Sequence, residues 1–95
     1  MAETRLIFRV HAVKRMSERS IDESAVRQVL TEGESIEEYP TAHPLPARLM
    51  LGWIGTRPLH VVCAVDEYSG RTFIITVYEP DEVDWEPGFR RRKVH

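Results

Sequence analysis

The spacing of the hydrophobic residues changes at Gly33, and this change constrains the fold more than any other feature of the sequence. Before Gly33, apolar residues recur at the three- and four-residue spacing of amphipathic helices. After it, short segments rich in β-branched and aromatic residues are separated by Pro, Gly and Ser, which is typical of strands joined by tight turns. We therefore expect a helical front and a strand-rich back. A length of 95 residues predicts one domain over residues 1–95.

Two helices are predicted in the front part. The first runs from about Val10 to Glu18, and its apolar side consists of Ala12, Val13 and Met16. The second lies in "RSIDESAVRQVLTEGE", where Ser20 or Asp22 can cap its first turn. Gly33 follows the last periodic residue, which favours a left-handed residue as the helix stop.

The back part predicts a sheet. The segments "ARLMLGWIG", "PLHVVCAVD" and "TFIITVYEP" are strands, "SIEEY" is a further short one, and "RLIFRV" near the start is a candidate for another. Short turns between strands favour an antiparallel meander. The predicted fold class is therefore α+β, with two N-terminal helices packed on one face of an antiparallel sheet of about four strands.

The composition restricts the classes of function. A net charge of −2 excludes a globally basic protein, but a basic surface confined to one region can still bind RNA, because phosphate contacts are local. The single cysteine, Cys63, lies in an apolar run and is interpreted as a buried structural thiol. The histidines of the chain are scattered and give no metal-ligand spacing, so we expect neither metal nor cofactor. The sequence shows neither a membrane-spanning run nor a signal-peptide pattern, which predicts a cytoplasmic protein without membrane contact.

One side of the first helix carries the first candidate site. His11, Arg15 and Arg19 follow each other at intervals of four residues and therefore lie above one another on a helix. Histidine transfers protons near neutral pH and arginine grips phosphate oxygens, so we predict a catalytic His11 with Arg15 and Arg19 binding the substrate. The alternative is a solvated polar face, with Glu18 and Asp22 as salt-bridge partners of the arginines.

The strands carry the remaining catalytic candidates. His60 interrupts an apolar run, so its ring must find a partner or face a cleft, unless it is an ordinary core histidine whose hydrogen bonds are satisfied. Thr76 and Tyr78 share one face of the last strand, and their hydroxyls suit phosphate or ribose, although both residue types are also common in strands. We predict His60, Thr76 and Tyr78 as catalytic residues near the first helix.

The segment "YEPDEVDWEPGFRRRK" predicts an extended tail over the sheet, basic from about residue 88. Trp85 and Phe89 are its anchors, and we expect Trp85 to be buried. One interpretation is a lid or RNA-stacking element in which Arg90 and Arg91 bind the substrate. The alternative is structural packing followed by a disordered basic end.

Three segments of the chain resemble the family catalogued as domain of unknown function 4258. They are the "HAVKRMSER" start, the "PLHVV" strand and the "TVYEPDEVDW" ending, and the residues that match its pattern are His11, Arg15, Arg19, His60, Thr76, Tyr78, Pro80 and Trp85. The family is similar in fold to RelE-like toxins, which share a small α+β sheet with barnase-like and colicin-like ribonucleases. The resemblance implies a toxin-type ribonuclease that needs no metal, or an inactive relative of one.

Two functions follow as hypotheses. The first is a metal-independent endoribonuclease acting on RNA in a toxin–antitoxin-like system, with a cognate antitoxin as partner and His60 close to His11, Arg15 and Arg19. The second is a non-catalytic module of the same fold that binds RNA or a protein. A helix–turn–helix that reads DNA is disfavoured, because the second predicted helix carries several acids that would repel phosphate.

Overall fold

A computed structural model describes residues 5–94. The elements, in chain order, are β1 (Arg5–Phe8), α1 (Val10–Arg19), α2 (Glu23–Glu32), β2 (Glu34–Tyr39), β3 (Ala47–Ile54), β4 (Arg57–Asp66) and β5 (Arg71–Tyr78). The predicted α+β class and both predicted helices are confirmed over this range.

The sheet has five strands in the order β1-β5-β4-β3-β2. The last four strands of the chain form the predicted antiparallel meander, whereas β1 pairs with β5 in parallel. The prediction of about four antiparallel strands is therefore corrected to a mixed sheet of five. The direction of β1 was not predictable from turn lengths, because it joins a strand that is distant in sequence and no short turn links the two.

The two faces of the sheet have different environments. Leu59, Val61 and Cys63 of β4 belong to one apolar cluster with Ala12 of α1 and Val26 of α2, and we call this side the helix face. Successive side chains of a strand point to opposite faces, so the even-numbered residues from His60 to Ala64 lie on the other side, the far face. The expected buried state of the Cys63 thiol is confirmed, and burial raises its pKa.

A β-bulge decides which residues of β5 share a face. Val62 pairs with Thr76 but Cys63 pairs with Ile74, so Ile75 is the extra residue. Thr76 therefore lies on the far face, whereas Ile74 belongs to the apolar cluster of the helix face. Strict alternation would place Ile74 and Thr76 on the same face, but the bulge shifts the pattern by one residue.

The helix ends differ from the prediction in one respect. Ser20 ends α1 in the left-handed conformation, with φ 55° and ψ 48°, whereas Gly33 after α2 is extended, with φ −80°. Gly33 is required by space, since a Cβ there would lie 2.4 Å from the Leu51 carbonyl oxygen. Asp22, one of two predicted caps, accepts a hydrogen bond from the Ala25 amide at 2.9 Å.

The left-handed conformation of Ser20 generates a prediction. Ser20→Gly removes the steric cost of a Cβ at positive φ and should raise the free energy of unfolding by about 1 kcal/mol in urea denaturation. Ser17→Gly, three residues earlier inside α1, is the matched control and should lower it by about 0.5 kcal/mol. Destabilisation by both substitutions would contradict the assigned backbone conformation of Ser20.

Candidate functional site

His60 lies at the centre of the far face with its side chain fully sealed, 0% exposed. Its Nδ1 is 3.1 Å from the Tyr78 hydroxyl, and its Nε2 is 2.9 Å from the Phe89 carbonyl oxygen. Because a carbonyl only accepts, Nε2 carries a proton and donates it, and in the neutral ring Nδ1 accepts from the Tyr78 hydroxyl. Both nitrogens of His60 are therefore engaged within the protein.

A C-terminal strap, residues 85–92, closes over this ring. Trp85 is 3% exposed and meets His60 edge-on, with ring centroids 4.4 Å apart, so its predicted burial is confirmed. The strap turns back on itself through an isolated bridge between Trp85 and Arg92. Phe89 adopts a positive φ of 59°, which aims its carbonyl at His60, and its ring lies 6.0 Å from that of Trp53.

Ion pairs join the strap to β2 at the edge of the sheet. Arg92 donates to both carboxylate oxygens of Glu37, at 2.8 and 3.1 Å, and its guanidinium lies 4.6 Å from the Trp85 ring centroid. Arg90 donates to Glu34. Arg90 and Arg91 were both predicted to bind substrate. Arg90 is instead paired with Glu34 of the same protein, whereas Arg91 is exposed. The basic end is therefore ordered as far as the strap extends.

The electrostatics of this network fix its charge states. Burial lowers the pKa of His60; the hydrogen bond to the Phe89 carbonyl opposes this shift, the nearby Arg92 adds to it, and Glu37 opposes it least. Burial raises the pKa of Tyr78 to about 12. The hydrogen bonds from Arg92 are the largest cause that lowers the pKa of Glu37. At neutral pH, His60 is neutral, Tyr78 keeps its proton and Glu37 is ionised.

The predicted shared site between α1 and His60 is wrong in its geometry. The α1 helix contacts the sheet through Ala12 on the helix face. His60 is one of the even-numbered residues of β4, so its side chain points to the far face beneath the strap. The structure brings together His60 and Tyr78, with Thr76 next on the same face. It does not bring His11 to them. The catalytic roles of His11, His60, Thr76 and Tyr78 stay predictions.

The exposed surface of α1 forms a second cluster, which we call the α1 basic face: His11, Lys14, Arg15 and Arg19. Across residues 5–94, none of these four side chains has an ion-pair or hydrogen-bond partner. The predicted salt bridges to Glu18 and Asp22 do not form. Asp22 instead accepts from Ser24 and from the backbone of α2.

Arg57 of β4 binds the C-terminal end of α1. Its guanidinium donates to the Arg19 carbonyl oxygen at 2.6 Å and pairs with Glu79 at 3.0 Å. A cation at the C-terminal end of a helix satisfies free carbonyl groups and complements the helix dipole. Arg57 therefore fixes the backbone of α1 at Arg19 without using the Arg19 side chain.

Several residues of these two clusters were missed by sequence reasoning. Glu37 and Tyr39 of β2, with Arg92, complete the network around His60, and Arg57 supports α1. The acids of "SIEEY" and the terminal arginines have opposite charge, which was a usable signal for pairing. The Pro87–Gly88 dipeptide marks a turn at this position, but no local signal shows that the turn brings the arginines back to β2.

Two further features are a group of metal-binding side chains and a membrane-spanning helix, and the described residues form neither. Within residues 5–94, no three His, Cys, Asp or Glu side chains are grouped so that they could hold a metal ion. Neither α1 nor α2 has the length and apolar character needed to cross a membrane.

Comparison with known proteins identifies the family. The protein-family model described as Domain of unknown function (DUF4258) matches residues 8–79, which cover most of the chain. The chain belongs to this family, and the match includes the α1 basic face and His60 but ends before the strap. No curated protein and no solved structure gives a significant match.

The sealed His60 predicts a pH dependence of stability. Its pKa is lower in the folded protein than the ordinary value of 6.5, so its stabilising contribution is complete above pH 6.5 and is lost as the pH falls from there toward the folded pKa. Urea unfolding between pH 7.5 and 5 should therefore show a falling free energy of unfolding. Carboxylates whose pKa is lowered, such as Glu37, lose their contribution only at lower pH.

A variant isolates this effect. His60→Gln removes the titrating ring, and His43→Gln, an exposed histidine, is the matched control. The decline below pH 6.5 should be reduced in the first variant and kept in the second. An unchanged decline in His60→Gln would show that another group causes it.

Proposed function

We propose that this protein binds RNA through the α1 basic face. The observation that carries the proposal is the contrast between its cations and two arginines of the strap, Arg90 and Arg92. Arg90 and Arg92 are neutralised by Glu34 and Glu37, whereas Arg15 and Arg19 are exposed and unpaired across residues 5–94. An unpaired guanidinium can bind a phosphate without first losing an ion pair.

The electrostatic argument is local. The chain has a net charge of −2, so attraction of a polyanion must come from an uneven distribution of charge. Four cationic or protonatable groups lie along one helix of ten residues, with Glu18 as an acid among them. A helix face of this length spans successive phosphates of a nucleic acid, which supports binding through the backbone rather than reading of sequence.

The resemblance to RelE-like toxins extends the proposal. The order of two helices followed by an antiparallel meander supports a RelE-like fold. A protein of this type would act in the cytoplasm on cellular RNA, and a cognate antitoxin would be its protein partner. The exposed α1 basic face is the surface that such a partner would have to cover to block RNA binding.

Binding through α1 predicts a specific pattern of mutant affinities. Arg15→Ala and Arg19→Ala should each weaken binding of a short single-stranded RNA and reduce the slope of log affinity against log salt by about 0.7, as expected for one lost phosphate contact. Fluorescence anisotropy over a salt series measures both quantities.

The control for this experiment changes the charge equally. Arg27→Ala removes one positive charge from α2, where Arg27 pairs with Glu23 at 3.0 Å, and should leave the salt slope unchanged. Equal losses for Arg27→Ala and Arg15→Ala would mean that net charge, and not the α1 basic face, governs binding.

A second candidate function is metal-independent RNA cleavage centred on α1. His11 is exposed within the α1 basic face, one helical turn from Arg15. An imidazole in that position can take the ribose 2′-OH proton while the arginines hold the phosphate. His60 is not available for the second proton transfer while the strap is closed, so solvent would supply the leaving-group proton.

Cleavage gives a separate prediction. The native protein should cut single-stranded RNA in the presence of EDTA, and His11→Ala should lower the rate by roughly 10² or more. Arg27→Ala, a substitution on α2 outside the α1 basic face, should leave the rate at the native value. A folded native protein that binds RNA through α1 but leaves it intact, with and without divalent metal, would leave binding as the function and reject the enzyme.

A further inference from the structure

A cavity of about 290 Å³ opens on the far face, away from the strap. Its walls are formed by the loop between β2 and β3, by β4 and β5, and by the residue that precedes α1; those that matter here are Arg9, His43, Leu45, Asp66, Phe73 and Ile75. The hydrogen-bond and ring partners of His60, which are Tyr78, Phe89 and Trp85, do not line it. It is therefore a different site from the network under the strap.

The lining combines a flat apolar wall with a few polar groups. Phe73, Ile75 and Leu45 supply apolar surface, and Ala64 forms the floor. The Arg9 guanidinium lies over one face of the Phe73 ring, 5.4 Å from its centroid. Nucleic-acid bases stack both on aromatic rings and on guanidinium planes, so this pair offers a stacking surface.

The polar groups at the rim suit the edge of a base. Asp66 is only partly buried; its Oδ1 accepts from the Tyr68 amide at 3.1 Å, and its second carboxylate oxygen can accept from an amino or imino group. His43 is exposed at the opposite loop and offers a ring nitrogen.

Arg9 connects the cavity to the start of α1. Arg9 is the N-cap residue of α1, and its amide donates to the Ile74 carbonyl oxygen at 2.9 Å, which fixes this junction to β5. His11 follows two residues later at the start of the basic stripe. A chain whose phosphates run along α1 would therefore reach the cavity at the first turn of the helix.

We propose that this cavity holds one unpaired base of a single-stranded RNA whose backbone lies on the α1 basic face. The proposal rests on the proposed function and adds the substrate class: single-stranded RNA, because a paired base would first have to break its pairing and stacking to enter. Phe73 and Arg9 stack on the base, and Asp66 contacts its edge.

The test compares a short single-stranded RNA with an abasic ribose-phosphate strand of the same length and charge, by fluorescence anisotropy. The native protein should bind the RNA about tenfold more tightly than the abasic strand, which is the contribution of one stacked base. Phe73→Leu should remove most of this preference while it leaves affinity for the abasic strand unchanged. Phe8→Leu, a half-buried phenylalanine that packs against the apolar cluster, is the matched control and should keep the preference.

The outcomes separate the two proposals. Equal affinity of the native protein for both strands would overturn the base pocket and leave binding through α1 in place. No affinity for either strand would overturn the proposed function and the pocket with it. Loss of preference in both Phe8→Leu and Phe73→Leu would also overturn the pocket.

A measurement on the native protein does not depend on any variant folding correctly. Adenosine monophosphate, titrated into isotope-labelled protein, should shift the NMR signals of the Phe73 ring and the Arg9 guanidinium before those of Trp85. Shifts that arise at Trp85 and leave Phe73 unchanged would overturn the pocket.

Discussion

The two hydrogen bonds of the His60 ring are the interaction on which the arrangement of the far face depends. A polar ring in the middle of an apolar strand is tolerated only if its nitrogens are satisfied, and an unsatisfied buried group costs about 1–3 kcal/mol. Tyr78 and the Phe89 carbonyl satisfy them at 3.1 and 2.9 Å. Because one partner belongs to the strap, the core of the sheet and the C-terminal segment are stabilised together.

The closure of the strap also determines where function can lie. It places Trp85 over His60 and uses the charges of Arg90 and Arg92 on the carboxylates of β2. Among residues 5–94, α1 carries a row of exposed cations without ion-pair partners, and the largely apolar cavity beside Arg9 lies at its start. Structure and charge thus divide the molecule into a closed network around His60 and an accessible surface around α1, for which we propose RNA binding.

Much of this fold was predictable because its signals are local. Helix periodicity, the Asp22 cap and the β-branched strands are read from neighbouring residues, and the burial of Trp85 follows from its size and its setting between prolines. Three features depend on contacts between distant segments, and no local pattern encodes them: the direction of β1, the bulge at Ile75 and the pairing of the strap with β2. The same limit explains the error in the candidate site. The residue types were suited to one catalytic centre. However, the side chain of His60 points to the far face and is covered by the strap, whereas α1, which carries His11, packs on the helix face.

If RNA binds to α1 and not to the His60 network, an RNA titration followed by NMR should show it. Amide signals of residues 10–19 and the ring signals of His11 should shift progressively as a short single-stranded RNA is added. The ring signals of His60 and Tyr78 and the indole signal of Trp85 should stay in place, because the strap remains closed. Shifts centred on His60 and Trp85, with α1 unaffected, would contradict the account and return the functional site to the far face beneath the strap.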